Sequence, residues 1–204
     1  TLDAALAMRN GQTNSGAIGA TSTGAAYTLA LNSGAVAGTL NSSIKLTNNA
    51  VATNGFGNVA SNSMNVTTAG DNAPSAVVLN AQSNDATGTV TTLATGTTFT
   101  LALNSDGIGA TNSSAVMTNN TVSSNAYGNM ATNNVAMAAF GAGVPSSAVS
   151  SVQSNSAAIS ATAANVTFGM TVGSNTGSAF RVGGNNTTAQ AVGNSSVTTI
   201  NGGM

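Results

Sequence analysis

The sequence predicts an all-β, repetitive fold, a β-solenoid or a stack of β-sheets, in which three units of about 70 residues assemble end to end. Three observations predict it. The 204-residue chain repeats itself at a spacing of 71 positions, its apolar residues alternate with small or polar ones, and it carries almost no charge. Together they indicate a structural material rather than an enzyme.

The repeat is clearest around a Gly-Asn pair, because Gly57 returns as Gly128, 71 positions later. We place the units at about 4–73, 74–144 and 145–204, within a single repetitive β domain covering 1–204. The third copy is shorter and diverges, either as a terminal cap or by drift. The recurring positions are Gly57, Gly128 and Gly193; Asn58, Asn129 and Asn194; Gln12, Gln82 and Gln153; and Pro74 and Pro145.

The strands are predicted from alternation. In Tyr27–Leu31 and Phe99–Leu103 the large apolar residues fall at every second position, which is typical of a half-buried strand, and Phe168–Val172 is a looser copy. The five aromatic residues at repeated positions are expected to pack in the core, although aromatic ladders and sugar binding stay open. These residues are Tyr27, Phe56, Phe99, Tyr127 and Phe168.

Turns and one helix are predicted from local signals. A helix over Asp3–Arg9, with Asp3 as its N-cap, competes with the extended conformation that the later repeats favour at the same positions. Dipeptides able to adopt positive φ predict turns. They are Asn10-Gly11, Asn54-Gly55, Asp106-Gly107 and Asn201-Gly202.

The recurring amides suggest a physical role. A side-chain amide both donates and accepts, so identical Asn or Gln side chains stacked at about 4.8 Å can form a continuous ladder of hydrogen bonds. Stacked charges would repel, which accounts for their scarcity. For the Gly-Asn positions a ladder and a turn remain equally open, whereas for the Gln positions we favour the ladder.

Composition excludes several function classes. The net charge is −1, which leaves no basic patch for nucleic acid. His and Cys are absent, so the imidazole base, the thiolate nucleophile and the common zinc ligands are missing. We therefore expect no enzymatic activity, no cofactor and no metal site. The charged residues are Asp3, Arg9, Lys45, Asp71, Asp85, Asp106 and Arg181.

Two geometries fit these patterns. In the first, the units wind as solenoid coils and stack in register; in the second, an antiparallel β-sandwich polymerises by strand complementation. No apolar run approaches the roughly 20 residues of a membrane-spanning helix, so we expect no transmembrane segment. Because the chain starts at Thr1 without an initiator Met, we expect a mature, exported form.

The segments Asn49–Asn62 and Asn120–Asn133 share the pattern Asn-x-Val-x-x-Asn-x-aromatic-Gly-Asn-x-Ala-x-Asn. This pattern resembles the Asn/Gln-Gly repeats of curlin-type fibre subunits and the Asn-rich repeats of bacterial holdfast-anchor proteins. The resemblance covers only these segments, and the unit here is longer than in curlin. It implies a secreted, amyloid-like or β-solenoid fibre at the cell surface, used for attachment and biofilm.

We therefore expect a structural subunit of an extracellular bacterial filament. Its partners would be further copies of itself and other fibre or outer-membrane anchor proteins. The alternative is an ice- or glycan-binding β-solenoid module of a larger adhesin or surface layer, because Thr-rich strands such as Thr95–Thr100 can present arrays of hydroxyl groups.

Overall fold

A computed structural model describes residues 5–31, 39–69, 73–103 and 109–203. Throughout this part the secondary structure is β-strand joined by turns, and the chain winds through three coils of six strands each. The predicted all-β fold of stacked units is confirmed. The described residues include no helix long and apolar enough to span a membrane.

The strands recur in the same order and with nearly the same lengths in each coil. Coil 1 contains β1 (Ala5–Asn14), β2 (Ile18–Thr23), β3 (Ala26–Leu31), β4 (Thr39–Leu40), β5 (Ser43–Thr47) and β6 (Ala50–Ala69). Coil 2 contains β7 (Ser75–Asn84), β8 (Val90–Thr95), β9 (Thr98–Leu103), β10 (Ala110–Thr111), β11 (Ser114–Thr118) and β12 (Thr121–Phe140). Coil 3 contains β13 (Ser146–Asn155), β14 (Ile159–Ala164), β15 (Thr167–Val172), β16 (Asn175–Thr176), β17 (Ala179–Gly183) and β18 (Asn186–Gly203).

Each strand pairs in parallel with its counterpart in the next coil, which gives six three-stranded sheets with coil 2 in the middle. The register aligns equivalent residues, so that Asn84 lies between Asn14 and Asn155. A slip of one residue would turn every buried side chain outward, so the alternation of the sequence enforces this register. The parallel pairing rules out the antiparallel sandwich.

Each coil is flattened and has two sides. The first three strands form one side and the last three form the other. In coil 1, β3 faces β5, β2 faces the first half of β6, and β1 faces its second half. The side chains that point between the two sides form the interior of the solenoid.

The interior contains two apolar clusters separated by a polar zone. One cluster is centred on Phe99, Leu101 and Leu103, which are completely buried. The other is centred on Val78 and Val135. Along β7, the buried residues change from apolar at Val78 to amide at Asn80, Gln82 and Asn84.

Three corners of each coil use a residue with positive φ. At equivalent positions this residue is Asn in some coils and Gly in others, because these two residue types tolerate the left-handed conformation best. The corners are Gly24, Gly96 and Asn165; Asn41, Asn112 and Gly177; and Asn48, Asn119 and Gly184. These turn positions explain part of the high Asn and Gly content.

Several local predictions are wrong. The helix over Asp3–Arg9 is replaced by strand from Ala5 onward, and its first two residues lie outside the described part. Three Asn-Gly pairs predicted as turns lie within strands β1, β6 and β18, and 106–107 is outside the described part. Pairing with the neighbouring coil overrides these local preferences. Pro74 and Pro145 directly precede β7 and β13.

Candidate functional site: amide ladders and open coil ends

Amide ladders run through all three coils, most of them in the polar zone. In one of them, Asn58 Nδ2 donates to Asn129 Oδ1 over 2.8 Å, and Asn129 Nδ2 donates to Asn194 Oδ1 over 2.7 Å. Three further columns have the same form, with distances of 2.7 to 2.9 Å. They are Asn14, Asn84 and Asn155; Asn49, Asn120 and Asn185; and Gln12, Gln82 and Gln153.

The structure thus places the recurring Gly-Asn and Gln positions in ladders rather than in turns. Two of the four columns were not among the sequence candidates. Asn14, Asn84 and Asn155 each follow a ladder Gln by two positions, which puts them on the same face of the strand. That spacing was the signal that could have identified them.

A bulge in the long strand turns Asn58 and its equivalents inward. Alternation along β6 changes phase at Gly57 and Asn58, which both face the interior. A Cβ atom on Gly57 would lie 2.4 Å from the Gly128 carbonyl oxygen, and one on Gly128 would lie 2.5 Å from the Gly193 carbonyl oxygen. Only glycine allows the backbones to approach this closely, which explains why Gly precedes Asn in the first two copies.

Backbone carbonyls determine the direction of the ladders. Asn58 Nδ2 also donates to the Ser83 carbonyl over 2.9 Å, and Gln82 Nε2 donates to the Met130 carbonyl over 3.0 Å. A carbonyl only accepts, so the amides cannot be turned over without placing two oxygens together. The Asn ladders therefore donate from coil 1 towards coil 3, whereas the Gln ladder donates from coil 3 towards coil 1.

A partial ladder stops at coil 3. Asn62 Nδ2 donates to Asn133 Oδ1 over 2.8 Å, but the position after Asn133 in this column is Thr198. Asn133 Nδ2 is buried and has no hydrogen-bond partner among the described residues. This column shows that an interrupted ladder leaves a polar atom unsatisfied.

The predicted core aromatics divide into two groups. Phe99 is buried and stacks between Tyr27 and Phe168, with ring centroids 4.9 and 5.1 Å apart. Phe56 stacks on Tyr127 at 5.3 Å, but this pair lies on the outer face and Phe56 is 39% exposed. The prediction of core packing is therefore wrong for Phe56 and Tyr127. The residues on either side of each of them point inward, so these two rings point outward.

Both ends of the solenoid are open. Within the described ranges, the strands of coils 1 and 3 are paired along one edge only, and the inward-facing side chains there are partly exposed. Leu6 in coil 1 is 44% exposed, whereas Val182 and Ile200 in coil 3 are 49% and 50% exposed. Their partners in the middle coil, Ala76, Met117 and Val135, are buried.

The ladders also end at these open faces. In coil 3, Asn155 Nδ2 donates to the Ala157 carbonyl over 3.1 Å, and Asn194 Nδ2 donates to the Gln153 carbonyl over 3.4 Å. Among the described residues, neither has a ladder acceptor in a further coil. An NH2 group has two hydrogens, so each can make one more bond. At the other end, Gln12 Nε2 donates to the Val59 carbonyl and has the same capacity.

The chain has few titratable side chains, and Asp85 is one whose pKa is shifted. No cluster of three His, Cys, Asp or Glu side chains that could hold a metal ion occurs in the described ranges. Asp85 lies in the turn between β7 and β8, where its carboxylate accepts hydrogen bonds from the Thr87 hydroxyl and from the backbone of Thr87 and Gly88. The Thr87 hydroxyl is the main reason that the pKa of Asp85 is lowered.

Comparisons of the chain with protein-family models, with curated proteins and with solved structures found no match.

Proposed function

We propose that this protein is the structural subunit of an extracellular bacterial filament, an amyloid-like or β-solenoid fibre that serves adhesion, biofilm formation or surface attachment. One observation carries the proposal: both ends of the solenoid present open strand edges and partly exposed core side chains. A second copy of the chain offers matching edges for both. Other fibre proteins or an outer-membrane anchor would attach the filament to the cell.

Stacking would pair the open strand edges of the isolated subunit and cover its exposed apolar side chains. An open strand edge leaves backbone donors and acceptors unpaired and invites pairing with another chain. Burial of apolar surface contributes about 25 cal/mol per Å². Covering Leu6, Val182 and Ile200 would therefore favour assembly, and the new backbone hydrogen bonds would add to it.

The scarcity of charge supports the same proposal. In a parallel in-register stack, every side chain lies beside its counterpart in the next coil, so a repeated charge would meet a like charge about 4.8 Å away. This chain has 3 basic and 4 acidic residues among 204. Amides, which attract their own copies, occupy the buried polar positions instead.

The cellular location rests on the Asn49–Asn62 pattern and its resemblance to curlin-type and holdfast-anchor repeats. Immunogold labelling of intact source cells tests it directly. We expect gold on filaments outside the cell. Labelling confined to sectioned cell interiors would contradict the proposed location, even if the purified protein forms fibres.

Electron microscopy and fibre diffraction of the purified protein test the filament itself. We expect unbranched filaments and a meridional reflection near 4.8 Å. Ile200→Asp should abolish filaments, because it places a charge on an inward position at the open end of coil 3. Val197→Asp is the matched control on the outward face of the same strand and should still assemble. Persistent monodisperse particles of the wild-type protein would contradict the proposal.

A second candidate, ice or glycan binding, is favoured by one feature of the outer face. Across the two sheets that contain β8 and β9, four outward columns each carry two Thr residues among three positions. These Thr residues are Thr21 and Thr162; Thr23 and Thr95; Thr98 and Thr167; and Thr28 and Thr100. If this face binds ice, wild-type protein should show thermal hysteresis and the double variant Thr98→Val, Thr100→Val should lose it. Binding to polysaccharide in a pull-down, reduced by the same variant, would instead indicate a glycan.

A further inference from the structure

We propose that subunits join head to tail, with coil 3 of one copy seated on coil 1 of the next in the register that relates the coils inside one subunit. This inference rests on the proposed filament function and adds the orientation and the residues of the joint. In that register, Asn155 lies over Asn14 and Asn194 lies over Asn58 of the neighbouring copy.

The strand lengths of the two ends match. In five of the six sheets the strand of coil 3 has the same length as that of coil 1, and in the remaining sheet β18 has 18 residues against 20 in β6. Coil 3 therefore offers a complete edge for five strands of coil 1 and an edge two residues shorter for β6. All six sheets can continue through the joint at once.

Ladder direction selects the orientation. At the coil 3 end, Asn155 and Asn194 have remaining donor capacity, and at the coil 1 end Asn14 and Asn58 present the acceptor ends of the same ladders. The Gln ladder runs the opposite way, so Gln12 can donate to Gln153 of the adjoining copy. Only a coil 3 to coil 1 contact satisfies both directions. If two like ends met with the same columns facing each other, donors would face donors and acceptors would face acceptors.

The aromatic column and the glycine column would also continue. Phe168 would lie over Tyr27, repeating the stacking seen on both sides of Phe99. Gly193 would meet the Gly57 carbonyl of the next copy in the same close approach that Gly57 makes to Gly128 inside the subunit. In the isolated subunit, a Cβ on Gly193 would lie no closer than 3.4 Å to any atom, so this glycine has no steric need inside the subunit.

One column opposes this joint weakly. Lys45 and Arg181 occupy the same outward column, and the joint would make them neighbours. Both are exposed, so the repulsion between them is weak and is screened by salt. This cost is small beside six continued sheets.

A cysteine pair tests the orientation and the register, because the natural chain has no Cys. Thr13 and Ser154 are exposed on the outer face and would face each other across the joint. Paired parallel strands lie about 4.8 Å apart, within the Cα separation that a disulfide needs, whereas inside one subunit these residues are two coils, about 10 Å, apart. The variant Thr13→Cys, Ser154→Cys cannot form the bridge within one chain.

The test is to assemble the double variant, oxidise it and analyse it by non-reducing denaturing electrophoresis beside electron micrographs. The expected result is a ladder of covalent multimers extending well beyond dimers. Thr13→Cys with Ser150→Cys is the out-of-register control, since its thiols would be about 13 Å apart, and it should give no ladder. Thr13→Cys and Ser154→Cys alone should give no covalent dimer.

The outcomes separate the two proposals. Filaments without a covalent ladder in the Thr13→Cys, Ser154→Cys variant would overturn the register while leaving the filament function intact. Covalent dimers of either single variant would overturn the head-to-tail orientation. A wild-type protein that forms no filament would overturn the proposed function, and the joint with it.

Discussion

Coil 2 and its two neighbours are built from almost the same sequence pattern, yet they occupy different environments. In coil 2 the inward side chains of β9, Phe99, Leu101 and Leu103, are completely buried. The equivalent residues in coils 1 and 3 are only partly buried. The difference comes from the number of neighbours, because coil 2 is covered on both edges. In this architecture a residue's stability contribution is determined by its place in the stack as much as by its chemistry.

The largest expected difference concerns the inner aromatic column. Phe99→Ala should lower the free energy of unfolding by about 3–5 kcal/mol, because it leaves a cavity between two rings. Phe168→Ala should cost the isolated subunit about half as much, since that ring has one stacked neighbour. Chemical denaturation of the unassembled subunit measures both. Equal losses of stability in the two variants would mean that the open face of coil 3 is covered in solution.

The second comparison replaces an amide by its acidic isostere in the same ladder. Asn129→Asp keeps the bond from Asn58 but sets oxygens against Asn194 and the Ser154 carbonyl in a buried site. We expect a loss of about 3–5 kcal/mol for this uncompensated buried charge. Asn194→Asp still accepts from Asn129 and loses only the 3.4 Å bond to the Gln153 carbonyl, at an exposed position where water can replace it, so it should cost the subunit under about 1 kcal/mol. If both variants unfold at the same urea concentration, the direction of the ladder does not determine how much stability the subunit loses.

Glycine substitutions separate folding from assembly. Gly128→Ala should destabilise the subunit by about 2–3 kcal/mol, because its Cβ would collide with the Gly193 carbonyl. Gly193→Ala should leave the thermal midpoint nearly unchanged but slow filament growth at least tenfold, measured by light scattering. Gly11→Ala, where a Cβ meets nothing within 4 Å, is the control for both assays. Normal growth of the Gly193→Ala variant would contradict the proposed joint.

A smaller effect is expected from ionic strength. If Lys45 and Arg181 become neighbours only at the joint, added salt should speed filament growth without changing the stability of the subunit. Lys45→Glu would make the pair attractive, so growth of this variant should be faster in low salt and should slow as salt is added. A Lys45→Glu variant with the salt response of the wild type would argue against the contact.

The smallest effect concerns the β7–β8 connection, which is longer in coil 2 than in its neighbours. The pKa of Asp85 is lowered from 3.8 mainly by the Thr87 hydroxyl. Its contribution to stability is therefore present above pH 3.8 and is lost as pH falls through the lowered folded-state pKa. The thermal midpoints of wild type and Asp85→Asn should differ slightly near neutral pH and converge in acid. A difference that grows in acid would contradict this sign.

Much of the fold could be predicted because the repeat and the alternation are global signals. The spacing of 71 positions predicted which residues would meet, and the hydrogen bonds from Asn58 to Asn129 and from Gln153 to Gln82 connect those pairs. Local signals failed where pairing with the next coil overrides them. Asn54-Gly55 looks like a turn in isolation, but it lies within the 20-residue strand β6.

The sequence by itself determined the strand class, the stacked repeat and the columns of like residues, because a parallel in-register stack places equivalent positions beside each other. Only the tertiary structure decided which face the residues around the bulge take and which way the ladders run. The bulge at Gly57 and Asn58 reverses the inward phase and leaves Phe56 outside. Backbone carbonyls on the facing strand orient the amides. The bulge involves a close approach between neighbouring coils, and the carbonyl contacts join the two sides of the solenoid, so both depend on residues distant in sequence.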